Sequence, residues 1–139
     1  MAGSARQALR SVLLLVITVQ VLVALLLPNT TIAWMREHWH WFNLPMSWVE
    51  RIGGPLNLIH VALFLLLGAA LALRFPHWPA RRAGIALLAF GTLTELAQLF
   101  VPGRHARLSD VGVDLLAGLL GWLCIRKTRK KGTEGIKVR

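Results

Sequence analysis

The chain has 139 residues, 55% of them hydrophobic, with a mean hydropathy of +0.57 and a formal net charge of +10. That length suggests one domain, and that hydrophobicity excludes an ordinary soluble domain in favour of a small helical membrane protein. The single cysteine, Cys124, excludes an internal disulfide and a cysteine-based zinc site, and reads as a small apolar side chain near a helix end.

Residues 1–10 carry Arg6 and Arg10 and no acid. From Ser11 to Leu27 the sequence is apolar except for Ser11, Thr18 and Gln20, and with its flanks it predicts a first membrane span over about 9–27. A cleaved signal peptide is the rival, but PNTTIAW offers no clear small-x-small cleavage site. Asn29-Thr30-Thr31 matches the glycosylation pattern, a short and unspecific motif. Residues 28–54 hold Trp34, Trp39, Trp41, Phe42 and Trp48, which predicts a Trp-rich interfacial helix anchored at the headgroup level rather than a ligand groove. His38 and His40 are two residues apart and so on different helix faces, which argues against a metal pair.

The second span is predicted over 55–73, with Pro55 in its first turn. Helical spacing puts Asn57, His60, Phe64 and Gly68 on one side of it. Arg74, Arg81 and Arg82 flank a two-proline turn that faces water. The third span, 83–101, aligns Gly84, Gly91, Glu95 and Gln98 and is broken by Pro102-Gly103. Ser109 is a good N-cap for a short fourth span over 110–125, in which Asp110, Asp114, Gly118 and Gly121 share a face. Residues 126–139 form a basic tail, expected to be mobile and suited to anionic lipid; a nucleic-acid role is not expected.

The expected fold is therefore all-α: one transmembrane domain over 1–125 with four spans and the tail behind it. Residues 1–10, 74–82 and the tail carry 12 Lys/Arg, against 4 on the other side. The positive-inside rule then puts both termini in the cytoplasm. In that topology Asn57 and His60, Glu95 and Gln98, and Asp110 and Asp114 all arrive at one depth toward the outer face. Gly68, Gly91, Gly118 and Gly121 lie below them and let the helices approach closely.

Ionisable residues at that depth are costly and require a reason. Three carboxylates, Glu95, Asp110 and Asp114, face Arg104 and Arg107, and His60 is a proton partner. Three readings compete. The first is a salt-bridged lock between helices. In the second, Arg104, Arg107 and the last helix's N-terminus bind an anionic head group while Glu95, His60 and the aspartates orient Arg104 or act as acid and base. In the third, the carboxylates and His60 hold a divalent metal. No tight local spacing supports the third, so neither a metal nor another cofactor is expected.

Glu95-x-x-Gln98, Pro102-Gly103-Arg104, Leu108-Ser109-Asp110, Asp114 and Gly118-x-x-Gly121, with His60, Phe64 and Gly68 upstream, resemble the VanZ-like family of bacterial membrane proteins. That family is named for a protein giving low-level teicoplanin resistance. The resemblance covers about residues 55–123 and implies a cell-envelope role in the bacterial inner membrane. It maps the family's polar positions onto His60, Glu95, Gln98, Arg104 and Asp110. The chain departs from the family at Leu56-Asn57, where Asp-Lys is common, and at Asp114, where Asn is common; both alter the charge balance.

The expected function is an outward-facing polar site that binds or modifies a lipid-linked envelope component or an amphiphilic, glycopeptide-type antibiotic. Glu95, His60 and Asp110 are its candidate catalytic residues. Asn57, Gln98, Arg104, Arg107, Ser109 and Asp114 are its candidate ligand-binding residues, and membrane lipids are the expected surroundings. The alternative is a non-enzymatic accessory subunit of a membrane complex, in which the polar cluster only locks the helices.

Overall fold

The computed structural model describes residues 2–41, 44, 47 and 58–134, and these hold five helices and no strand. Helix α1 is Ala2–Leu26, α2 is Asn29–His38, α3 is Leu58–Arg74, α4 is Ala80–Gln98 and α5 is Leu108–Glu134. Phe42, Trp48, Pro55 and Asn57 lie outside the described residues.

Prolines and one glycine set the breaks. Pro28 cannot continue α1, because its ring removes a donor and fixes φ. It instead sits at the N-cap of α2, where its carbonyl accepts from Ile32 at 3.1 Å. Pro79 plays the same part for α4, with its carbonyl accepting from Arg82 at 3.0 Å. Helix α4 therefore starts and stops three residues before the expected 83–101: Leu99, Phe100 and Val101 form turn hydrogen bonds rather than helix. Gly103 follows with φ 76°, a left-handed conformation that a Cβ disfavours.

Two helices are longer than the sequence suggests. Helix α1 takes in Arg6 and Arg10, and α5 continues through the basic residues to Glu134 instead of ending near Ile125. The helix expected as a short fourth span is thus not short. Straight-chain Arg and Lys favour helix, and no proline follows to stop it.

Helix α3 makes the broadest contact with α5, α5 also packs on α4, and α1 lies against α3. Val21, Leu25, Phe64, Leu67, Leu87 and Trp122 form the apolar core. The interior also holds His60, Thr94, Glu95, Gln98 and Asp114, each at most 5% exposed. The outside is the reverse: Leu15, Val19 and Val23 of α1, Leu93 and Leu96 of α4, and Leu116, Leu120 and Leu123 of α5 are all exposed. Apolar surface of that extent needs a non-aqueous cover. Two stretches are long and apolar enough to cross a membrane, Ser4–Leu26 with mean hydropathy 2.5 and Leu108–Arg129 with 1.7. Helix α3 is apolar but has 17 residues.

Trp34, Trp39 and Trp41 gather in and just after α2, which has no buried residue. Trp34 stacks on His38 at 4.6 Å between ring centroids, and Trp39 stacks on Trp41 at 5.7 Å. All three indoles are exposed.

Candidate functional site

Helical geometry brings polar residues of three separate helices to one end of the bundle. His60 lies in the first turn of α3, Glu95 and Gln98 in the last turn of α4, and Asp110 and Asp114 in the first two turns of α5. The His60–Asp114 bond is the centre: Nδ1 and Oδ1 are 3.0 Å apart, both side chains fully inside the protein. Asp114 is 0% exposed and stands behind the histidine, joining α5 to α3. Its Oδ2 is buried with no hydrogen-bond partner among the described residues.

Glu95 accepts a 2.7 Å hydrogen bond from the Arg107 backbone N–H through Oε2. That N–H immediately precedes α5 and has no partner within the helix, so the carboxylate serves as a remote cap at a helix N-terminus. The other oxygen, Oε1, is buried and unpartnered among the described residues, as is Gln98 Nε2. Ser109, expected at the N-cap, lies inside a helix that begins at Leu108. Its exposed hydroxyl donates to Asp110 Oδ1 at 3.3 Å.

Arg104 and Arg107 are not locked onto the acids. Among the described residues no ion pair joins either guanidinium to a carboxylate. Arg104 donates from Nε to the Leu27 carbonyl at 3.0 Å and from Nη2 to the Ala24 carbonyl at 3.0 Å. The Ala24 carbonyl lies in the last turn of α1 and Leu27 directly follows that helix, and a basic side chain can satisfy such carbonyls. Burial lowers the Arg104 guanidinium from its ordinary range, with the negative charge of Glu95 opposing the shift. A guanidinium keeps its charge through such a change. The salt-bridged lock, one of the three readings of the sequence, would pair these arginines with the acids; the structure shows a carbonyl-capping arginine and a buried histidine–aspartate bond instead.

A cavity of about 230 Å³ opens beside this group, lined by Asn29, His60, Gln98, Gly103, Arg104, His105, Arg107 and Asp110. Five of the expected site residues thus share its wall. Glu95 and Asp114 are buried and Ser109 is exposed, none of the three lining the cavity, and Asn57 lies outside the described residues. Asn29 and His105 are additions. The Asn29 Nδ2 donates to the Gly103 carbonyl, tying the start of α2 to the turn between α4 and α5. The two residues are 74 positions apart, and no local sequence signal marks the contact.

His60, Glu95 and Asp110 each offer one ligand atom, and those atoms lie within 4.8 Å of one another. The three come from three different helices, which is why no local spacing in the chain announces them.

Among known families, the one described as VanZ/LLP1 matches residues 6–129, a range that begins in α1, ends in α5 and takes in the whole polar group. No curated protein and no solved structure matches the chain.

Proposed function

The chain belongs to the VanZ/LLP1 family, and from that membership we propose a four-span protein of the bacterial cytoplasmic membrane with both termini inside and its polar site facing outward. The site binds or modifies a lipid-linked envelope component, or an amphiphilic antibiotic of the glycopeptide type. Helices α1, α3, α4 and α5 are the spans, and α2 lies at the interface with Trp34, Trp39 and Trp41 at headgroup level.

The cavity of about 230 Å³ carries this reading, because Arg104 and Arg107 share its wall with His60, Gln98 and Asp110. Cationic donors beside an imidazole suit a phosphate or carboxylate held at the membrane surface. Glu95 and His60 are the acid–base candidates, Asp110 a third, and Arg104, Arg107, Gln98 and Ser109 the groups that orient a ligand.

Alanine in place of Glu95 or Arg107, followed by folded yield and envelope or antibiotic phenotype, tests it. Loss of phenotype at normal yield is expected. Arg104→Ala is less decisive, since it also uncaps α1.

An accessory-subunit reading draws on the His60–Asp114 bond, which ties two helices without any ligand. Gentle detergent purification separates the two readings. A lone protomer carrying co-purified lipid is expected here, whereas a stable complex with a second protein favours the accessory role.

A further inference from the structure

We propose that His60, Glu95 and Asp110 bind a divalent metal ion of the zinc type, with Asp114 as the positioning residue behind the histidine. The donor set is one imidazole and two carboxylates, from three helices, with ligand atoms inside 4.8 Å of one another. Zinc sites with three protein ligands and one open position use such donors, held about 3.4 Å apart in a tetrahedron. Binding therefore requires side-chain rotation of Glu95 and Asp110 to close that difference.

Three observations beyond proximity point to a cation. Glu95 Oε1 is buried without a hydrogen-bond partner, on a side chain 5% exposed. A bare carboxylate oxygen in such a place calls for positive charge. The nearby guanidinium does not supply it directly, because Arg104 Nε and Nη2 are spent on α1 carbonyls. Finally, Asp114 Oδ1 holds His60 Nδ1 at 3.0 Å, leaving Nε2 as the nitrogen available to a metal. A carboxylate that fixes a histidine through its second nitrogen is the usual outer shell of a metal-bound imidazole.

His60 and Asp110 also line the cavity, which gives an ion an entry path and leaves a coordination position open toward it. On the reading of that cavity as a ligand site, an oxygen of the anionic group takes the open position. The metal site itself does not depend on that reading.

The test uses the full chain, tag-free and folded in mild detergent, stripped with chelator and then offered Zn²⁺, Mn²⁺ or Mg²⁺ before desalting and elemental analysis. About one equivalent of Zn²⁺ per chain is expected to remain, with an accompanying rise in melting temperature. Glu95→Gln and Asp110→Asn should each lose most of it, and His38→Ala, a surface control, should lose none. Asp114→Asn should weaken Zn²⁺ affinity roughly 10–100-fold and shift the visible bands of the Co²⁺-substituted protein, which a purely structural aspartate would not do. Failure of the stripped wild type to retain any of the three metals sinks the proposal, as does full retention by both Glu95→Gln and Asp110→Asn. Wild-type stoichiometry decides even where a variant does not fold. Co-purified lipid on a metal-free protein would remove the metal and leave the ligand site standing.

Discussion

His60 and Asp114 are each costly alone and inexpensive together. Asp114 is 0% exposed and His60 2%, and their 3.0 Å contact satisfies one atom of each. Removing one partner of a buried pair strands the other, at about 3–5 kcal/mol. His60→Ala and Asp114→Ala should therefore each lower unfolding stability in detergent by that order. The double variant should lose less than the sum, with a coupling of roughly 0.5–3 kcal/mol. Additive losses would mean that the pair does not hold α3 to α5. Arg104 is a second residue with a separable role. Arg104→Lys keeps the charge but loses the planar fork that reaches both Ala24 and Leu27. The expected result is a loss of about 1–3 kcal/mol and faster hydrogen exchange over residues 22–27, with Arg107→Ala leaving that segment protected.

At the scale of helices, the decisive contact is the approach of α3 to α5. A Cβ added at Gly68 would overlap the Gly118 carbonyl, and one at Gly121 would overlap the Leu65 carbonyl. Backbone cannot move aside without separating the helices, so Gly68→Ala and Gly121→Ala should cost about 1–3 kcal/mol or more. A Cβ at Gly118 meets the end of the flexible Leu87 side chain at 2.8 Å, so that substitution should be milder. Gly112 has nothing within 4 Å, and Gly112→Ala should stabilise α5 by about 0.5–1 kcal/mol. A thermal series over the four variants checks the order.

The same contacts explain what was legible beforehand. Helical period alone places His60, Phe64 and Gly68 on one buried face, and likewise Gly91, Glu95 and Gln98. Charge and loop length then bring those faces to one end. Loop geometry was not legible. Arg104 turns to α1 rather than to the acids, and Asn29 reaches Gly103 across 74 positions. Both depend on where α1 ends relative to the α4–α5 turn, which packing fixes and local sequence does not. The length of α5 is not legible either, because a run of basic residues suits a tail and a helix alike, and Arg and Lys propagate a helix as well as most residues do.

At the scale of the molecule, the two ends differ in charge. Opposite the candidate site, Arg6, Arg10 and Arg74 surround a cavity of about 580 Å³ with Gln7, Phe75, Pro76, His77 and Trp78. Arg74 donates to Ser11 at 2.7 Å and Arg126 to the Trp78 carbonyl at 3.0 Å, so this basic end is built into the helix contacts. Twelve of the 16 Lys/Arg belong to residues 1–10, 74–82 and 126–139. Anionic lipids of the inner leaflet attract such an end, and translocation of it is disfavoured. The orientation should follow: basic end inside, Glu95 end outside. With the exposed Cys124 replaced by alanine, Ser4→Cys and His105→Cys report the two ends separately. A membrane-impermeant maleimide added to intact cells should label the position 105 variant and leave the position 4 variant unlabelled until the membrane is opened. The opposite pattern would turn the polar group toward the cytoplasm, where a cell-surface antibiotic could not reach it. Neutralising Arg81 and Arg82 should raise the fraction of misoriented chains, because the 74–82 segment would then lose two of its three arginines.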